Sequence, residues 1–240
     1  MRGRGIRILV VVVVVLGGLF VAADRIAVSY AQSKIADRIQ SARGLSSKPD
    51  VSIKGFPFLT QVAGRDLNEV TATANDFQAE QGTSASGDGR LRVDKLTVDL
   101  HDVRIDSSFS SAVADTATGT ALISYADLQQ GAPDGVTVSY GGDGQVKVSG
   151  SVTLPGLGQT VRRSVVSSIQ VTGGNTVQLH ARSIPGAGTI PGLDQLVRDR
   201  IDFARTLSGL PAGITLSGVR ATQDGVVVSL TGQHVSLTTG

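Results

Sequence analysis

Apolar residues fill the start of the chain almost without interruption and then recur at regular spacings through the rest. The run from Ile8 to Ala23 holds 16 uncharged residues, and positions 10–15 are consecutive valines. It follows three arginines: Arg2, Arg4 and Arg7. Arginines before an apolar core are typical of a secretory signal, and the positive-inside rule predicts that the following body is translocated. We therefore expect an exported, extracytoplasmic protein, away from the cytosolic pools of ATP, GTP and reduced nicotinamide cofactor.

The apolar run is short for a membrane span, so two fates remain open. As a helix, 16 residues cover roughly 24 Å, whereas a bilayer core needs about 30 Å. The end of the run, at 21–23, resembles a small-residue cleavage site, and cleavage near Ala23 releases the body. Without cleavage, the segment is a signal anchor lengthened by snorkelling of Arg7. A buried core helix is the weaker alternative, because adjacent valines are poor helix formers in water.

Two later segments have apolar residues at helical spacing and predict amphipathic helices. The first covers 24–42, with Gly44 as its stop. The second runs from about Gly192 to Ser208, where Gly209 and Pro211 end it. An apolar stripe of this kind is most often core packing against a sheet, and the sharper alternative is that it lines a lipid groove.

Alternation of apolar and polar residues predicts antiparallel strands through most of the body. Residues 51–61 form an extended segment in which Pro57 marks an edge or a bulge. Residues 91–105 form a long strand whose apolar parity changes twice, near Asp94 and near His101. A β-bulge at each change keeps the apolar side chains on one face and predicts a strongly curved sheet. Two hairpins with turns near 141–144 and 173–175 follow, and a strand pair at 214–220 and 226–230 closes the chain.

Composition and charge narrow the classes of function. Of 22 basic residues, three lie in the leader, so the body has 19 against 20 acidic residues and a net charge of about −1. Nucleic acid is therefore not an expected partner, because neutralising phosphates needs a basic surface. The chain has no cysteine, which excludes disulfides, thiolate metal sites and a cysteine nucleophile. Residues 24–240 are long enough for a single domain with its own core.

Candidate chemistry is sparse, so no catalytic residue, metal or cofactor is predicted. The histidines His101, His180 and His234 have no second metal-spaced ligand nearby in sequence. The carboxylates Asp99, Asp102 and Asp106 are the densest near a strand and permit a hydrolase or a calcium site, against the simpler interpretation of a solvated strand face. The pair Arg162 and Arg163 is a candidate for a lipid head-group phosphate, against an ordinary soluble turn.

The most distinctive string is Gly55-Phe56-Pro57-Phe58-Leu59-Thr60-Gln61. With Ser124-Tyr125-Ala126-Asp127-Leu128 and Pro191-Gly192-Leu193, it resembles the LmeA family of actinobacterial cell-envelope phospholipid-binding proteins over about residues 24–235. The resemblance implies a non-enzymatic phospholipid-binding protein at the outer surface of the plasma membrane. It also implies a role in envelope lipid or lipoglycan assembly, and we expect envelope biosynthesis enzymes as partners.

These observations predict an α+β fold in which a strongly curved antiparallel sheet wraps around amphipathic helices, in the tubular lipid-binding style that the resemblance suggests. The predicted groove-lining residues are Phe56, Phe58, Leu59, Leu193, Val197 and Ile201. Two rivals stay open: a scaffold for an envelope glycosyltransferase that holds no lipid, and an extracytoplasmic hydrolase. Burial of one acyl chain of about 16 carbons contributes on the order of 10 kcal/mol gross, so an apolar lining needs no charged motif to hold a lipid.

Overall fold

The computed structural model describes residues 2–80, 90–130, 132, 135–153, 160–183, 204–206, 210 and 212–238. The described helices are α1 (Arg2–Arg43), α2 (Phe58–Gly64) and α3 (Tyr125–Gln130). The described strands are β1 (Asp50–Lys54), β2 (Asp66–Glu80), β3 (Arg90–Ile105), β4 (Ser111–Ser124), β5 (Thr137–Gly142), β6 (Gln145–Thr153), β7 (Thr160–Thr172), β8 (Thr176–Ser183), β9 (Ala204–Thr206), β10 (Ile214–Ala221) and β11 (Gly225–Thr238).

Helix α1 joins the apolar leader to the predicted amphipathic helix without a break, in 42 residues. It is long and apolar enough to cross a membrane, with a mean hydropathy of 2.8 over its most apolar window. The predicted stop is confirmed, because Gly44 has a φ of +60° and the N–H of Leu45 donates to the carbonyl of Gln40 at 3.0 Å. This is the glycine-ended C-cap expected of a helix that stops abruptly.

The described strands form two open antiparallel sheets. One has six strands in the order β1-β2-β3-β4-β11-β10, and the other has five in the order β5-β6-β7-β8-β9. The predicted α+β class is therefore confirmed, whereas the tubular wrap stays a prediction. Both predicted hairpins form, and Val138 pairs with Val148 and Ile169 with Leu179, so apolar residues face each other as expected. The first hairpin closes with the two-residue turn Asp143-Gly144 after a bulge at Gly141.

The buried residues form two hydrophobic clusters. The helix cluster lies between α1, α2 and one end of the six-stranded sheet; its members include Val28, Val51, Ile53, Phe58, Leu67, Val70, Leu100 and Val235. The sheet cluster lies between the two sheets; its members include Val93, Ile123, Val146, Val148, Val165, Leu179, Leu216 and Val226. The five-stranded sheet is held to β10 by backbone hydrogen bonds from Leu216 to Gly174 at 2.6 Å and from Ala221 to Gly144 at 3.2 Å.

The two parity changes in β3 are real, but the predicted bulges are wrong. Pairing of β3 with β2 and with β4 keeps one register along the whole described ladder, so β3 has no extra residue relative to either neighbour. At the change near His101, the buried positions shift by three residues, an odd number, at the same level in β2, β3, β4 and β11. The buried row Leu67, Val103, Ala114 and Val235 is followed three residues on by the row Val70, Leu100, Ala117 and Gly232. Residues with left-handed backbone lie at the change, namely Asp102 (φ 51°) and His234 (φ 50°).

Two predicted elements differ from the structure. The extended segment predicted through 55–61 ends at Lys54, and Phe58–Gly64 is a helix. Proline is compatible with this position because Pro57 precedes the first helical turn, where the missing N–H has no partner to lose. The late helix predicted to reach Ser208 is wrong at Ala204–Thr206, which pair with β8 as strand β9; its earlier residues lie outside the described residues.

Candidate functional site

The first polar residue after the apolar run joins α1 to α2. Asp24 is fully buried, and its Oδ1 accepts a hydrogen bond from the N–H of Leu59 at 2.8 Å, while its Oδ2 accepts one from Arg25 at 2.6 Å. The first N–H groups of a helix have no partner inside the helix and favour a negative charge. Burial opposes ionisation, but the N–H of Leu59 and the Arg25 guanidinium outweigh it and hold the pKa of Asp24 below its usual value.

The motif at 55–61 also has contacts of its own, through Gly55 and Gln61. Gly55 has a φ of +99°, and a side chain there would meet the Gln61 amide nitrogen at 2.6 Å. The Gln61 side chain accepts from the N–H of Asn68 at 2.9 Å and donates to the carbonyl of Lys54 at 3.5 Å. The Phe56–Pro57 peptide bond is cis. The glycine and the glutamine of the motif therefore stabilise the connection between β1, α2 and β2.

The three motif residues predicted to line a groove have different surroundings. Phe58 is buried, with 6% of its surface exposed, and packs in the helix cluster. Leu59 is half-buried at the margin of that cluster. Phe56 is 58% exposed, and the Arg25 guanidinium lies 5.2 Å from its ring centroid. The motif thus places one ring inside the body and one ring at its surface, beside the end of the apolar run.

A second feature crosses the middle of the six-stranded sheet. One row of paired residues runs Val51, Ala72, Val98, Gly119, Leu230 and Leu216. Directly paired residues share a face of an antiparallel sheet. This row is therefore continuous on one face, the face that carries both hydrophobic clusters. Its first residue, Val51, is buried in the helix cluster, and its last, Leu216, is buried in the sheet cluster.

The middle of that face is less covered than its two ends. Its side chains are half-buried and apolar, and we call them the apolar band: Ala72, Ala74, Leu96, Val98, Ala121 and Leu230. Four strands of the band, at a spacing of about 4.8 Å, span roughly 14 Å. Three of its six residues are alanines, whose side chains project little from the sheet.

The remaining predicted site residues do not extend this picture. Leu193, Val197 and Ile201 lie outside the described residues. Arg162 and Arg163 lie in β7, where they pair with Ser151 and Gly150, so the interpretation as a soluble turn is wrong. Their head-group role stays a prediction.

The candidate catalytic carboxylates are spread along one strand. Asp99 accepts a hydrogen bond from Thr71 Oγ1 at 2.7 Å, and Asp106 accepts from the N–H of Ser110 at 2.9 Å in the turn after β3. Seven residues of extended chain separate these two carboxylates by roughly 20 Å. Among the described residues, no group of three metal-ligating side chains occurs.

Sequence reasoning did not find Asp24 or the apolar band as functional elements. The signal for Asp24 was its position, since it is the first polar residue after the apolar run, but its partner is 35 residues away. The signal for the band was the apolar alternation at Leu96, Val98 and Leu100. That alternation gives the face of one strand, whereas the band depends on how six strands align.

Comparison with known families gives this geometry a class. The fold is an α+β body with a long apolar helix and a half-covered apolar surface between two clusters. The chain belongs to the LmeA-like phospholipid-binding family, whose model matches residues 22–231. No curated protein matches the chain, and no solved structure matches it. The family is a phospholipid-binding family and not a family of enzymes.

Proposed function

We propose that this protein is a membrane-anchored, extracytoplasmic phospholipid-binding protein that shelters an acyl chain on the apolar band. The observation that carries the proposal is the continuous row from Val51 to Leu216, which is buried at both ends and has half-buried apolar side chains at Ala72, Val98 and Leu230 between them. Family membership supplies the ligand class. The lipid would come from the outer surface of the plasma membrane, and its delivery would serve assembly of the cell envelope.

The magnitude of apolar burial is sufficient for such binding. Each methylene removed from water contributes about 0.8 kcal/mol, so ten methylenes on the band contribute roughly 8 kcal/mol. Ordering a ligand costs at least about 4 kcal/mol. The balance favours a bound but exchangeable lipid, which suits transfer or presentation better than permanent storage. Further contacts with the lipid would come from the predicted groove-lining residues, namely Phe56, Phe58, Leu59, Leu193, Val197 and Ile201.

The position of Asp24 favours anchoring over release. Cleavage after Ala23 would place an α-ammonium group, with a pKa of about 8, on a residue that is fully buried. It would also remove the carbonyl groups of residues 20–23, to which the next N–H groups donate within α1. An intact α1 avoids both costs. The protein extracted from membranes should therefore have the intact mass of the full chain, and a mass that lacks residues 1–23 would reject the anchor.

The binding proposal is tested by native mass spectrometry of the full chain in mild detergent. We expect the wild type to carry phospholipid. Ala121→Leu adds bulk to the band, whereas Thr120→Leu places the same side chain on the opposite, exposed face of β4. The first substitution should reduce the lipid-bound fraction about tenfold, the effect of about 1.4 kcal/mol, and the second should leave it unchanged. A lipid-free wild type, or equal loss in both variants, would reject the proposal.

A further inference from the structure

The body has one end next to the membrane-directed segment and one end far from it. Asp24 bonds to α2, and the N–H of Ile105 donates to the carbonyl of Arg65, just after α2, at 2.9 Å. Thus α2 and the β3–β4 turn lie together beside the point where the apolar run of α1 ends. At the opposite end of α1, Ser46 donates to the carbonyl of Asp76 at 3.2 Å. We call the first of these ends the proximal end.

An exposed phenylalanine stands at each side of α2 on the proximal end. Phe56 precedes α2 and is 58% exposed, and Phe109 is in the β3–β4 turn and is 54% exposed. Helix α2 has seven residues and a length of about 10 Å. Phe56 precedes its start. Arg65, after its end, is bonded to Ile105, four residues before Phe109. Arg25 lies against Phe56, and Arg65 is exposed at the end of α2. The surface therefore combines aromatic rings with guanidinium groups.

The turn that carries Phe109 is ordered by one carboxylate. Asp106 accepts hydrogen bonds from Ser108 Oγ at 2.6 Å and from the N–H of Ser110 at 2.9 Å. Phe109 itself has a φ of +57°, a left-handed conformation that is unfavourable for a bulky residue. The turn thus holds a large apolar side chain outward at a conformational cost. Exposure of that side chain to water is itself unfavourable and does not offset this cost.

We propose that the proximal end is a membrane-docking surface that inserts Phe56 and Phe109 into the head-group region of the phospholipid bilayer. The apolar run ends at Ala23, so Asp24 and Arg25 stand at the bilayer surface when α1 spans it. Because Asp24 is bonded to α2 without any linker, the rings beside α2 are held at the same level. Aromatic rings are favoured at this depth, and Arg25 and Arg65 complement lipid phosphates. The inference rests on the anchored α1 proposed above.

The docked arrangement would stand the body upright on the bilayer. The β5–β6 turn is bonded to Ala221 at the far end of the sheet, and the strand from Ile105 back to Asp94 covers about 35 Å. The apolar band would then lie well above the head groups, and a lipid bound there would have left the bilayer. The far end provides a control position in Tyr140, which is 37% exposed and lies beside the β5–β6 turn.

The chain contains no tryptophan, so a single introduced tryptophan is a selective probe. We would place the full chain in phosphatidylcholine–phosphatidylglycerol nanodiscs and compare Phe20→Trp, Phe56→Trp, Phe109→Trp and Tyr140→Trp, with and without brominated acyl chains. Brominated lipid should quench emission about twofold at positions 20, 56 and 109, and leave position 140 unchanged, since only the first three reach the depth that anchors aromatic rings.

The outcomes separate this inference from the anchor. Quenching at 20 without quenching at 56 or 109 leaves the anchor intact and overturns docking. No quenching at 20 overturns the anchor and docking with it. Shielding of 56 and 109 from aqueous iodide without bromine quenching would indicate a protein partner instead, and also overturns docking.

A second probe leaves both phenylalanines in place and covers the case of a misfolded tryptophan variant. The chain has no cysteine, so a spin label at Ala63→Cys, exposed in α2, reports the proximal end, and one at Ser139→Cys, exposed in β5, reports the far end. Docking predicts that oxygen relaxes the first label more than a water-soluble nickel chelate does, with the reverse for the second. A nickel preference at both positions would reject docking.

Discussion

The carboxylate of Asp24 accepts the N–H of Leu59 at 2.8 Å, so the helix that begins in the apolar leader also caps the helix of the 55–61 motif. The contact is fully buried on the Asp24 side. An ionised carboxylate at a helix N-terminus satisfies a free donor and interacts favourably with the helix dipole. The leader helix and the motif are therefore one structural unit, and a substitution of Asp24 should destabilise both.

Substitution Asp24→Ala should lower the Tm of the body by several degrees, because it leaves the N–H of Leu59 without its partner and the Arg25 guanidinium without its counterion. Asp37→Ala in the same helix is the matched control. Asp37 is half-exposed and pairs with Lys48 at 2.6 Å, and exposed pairs of this kind contribute little. Thermal unfolding in detergent measures both variants, and equal Tm values for the two would contradict a structural role for Asp24.

The same contact should depend on pH with a defined sign. The folded state holds the pKa of Asp24 below its usual value, so ionisation of Asp24 stabilises the fold above the unfolded-state pKa of about 3.9. That contribution is lost as the pH falls through the lower folded-state pKa. The difference in Tm between wild type and Asp24→Ala should be constant from pH 5 to pH 7, values well above about 4, and narrow below it. A difference that grows on acidification would contradict this account.

Truncation of the two phenylalanines of the motif should destabilise the fold to very different extents. Phe58→Ala removes a ring from the helix cluster and should cost about 3–5 kcal/mol of unfolding free energy. Phe56→Ala removes a ring that is 58% exposed and should cost less than about 0.5 kcal/mol. Urea unfolding monitored by circular dichroism measures both. Similar losses would show that Phe56 is part of the core.

The strand pattern was predictable because alternation is local, and it gave the hairpins and the parity changes in β3. What failed depends on neighbours in space. The seven residues of α2 are too few to show a helical period, and Pro57 suggested an edge strand. Residues 204–206 continue a helical stripe in sequence, but pairing with β8 makes them a strand. The apolar band requires the register of six strands, which no single segment contains.

The glycine that opens the motif should be required for its conformation. Gly55 has a φ of +99°, and a methyl group there would meet the Gln61 and Asn68 side-chain amides at 2.6 Å and 3.1 Å. Gly55→Ala should therefore cost about 1–3 kcal/mol. Gly64→Ala is the matched control, because nothing lies within 4 Å of a methyl group at that helical position, and alanine is the better helix former. Thermal unfolding should show a lower Tm for the first variant and an unchanged or higher Tm for the second.

A carboxyl pair at the far end of the sheet should destabilise the fold at neutral pH. Asp94 lies near Asp127 of α3, which is buried. The hydroxyl group of Ser124, the last residue of β4, donates a hydrogen bond to the Asp127 carboxylate at 2.5 Å. Burial, and then the charge and hydrogen bond of Asp127, raise the pKa of Asp94 above its usual value. The folded state therefore binds the Asp94 proton more tightly than the unfolded state, and stability falls as the pH rises between the two pKa values.

Removing the charge should relieve that cost. After allowance for solvent screening, Asp94→Asn should stabilise the protein at pH 7 by about 0.5 kcal/mol, or roughly 1–2 °C in Tm. The gain should diminish as the pH falls towards the unfolded-state pKa of about 3.9 and vanish well below it, where Asp94 is protonated in both states. Asp102→Asn, at an exposed position of the same strand, serves as the control and should change the Tm little at either pH. Burial and the Asp127 charge both raise the pKa of Asp94, so the gain should be smaller, but not abolished, in a background that carries Asp127→Asn. A gain of unchanged size there would assign the effect to burial alone.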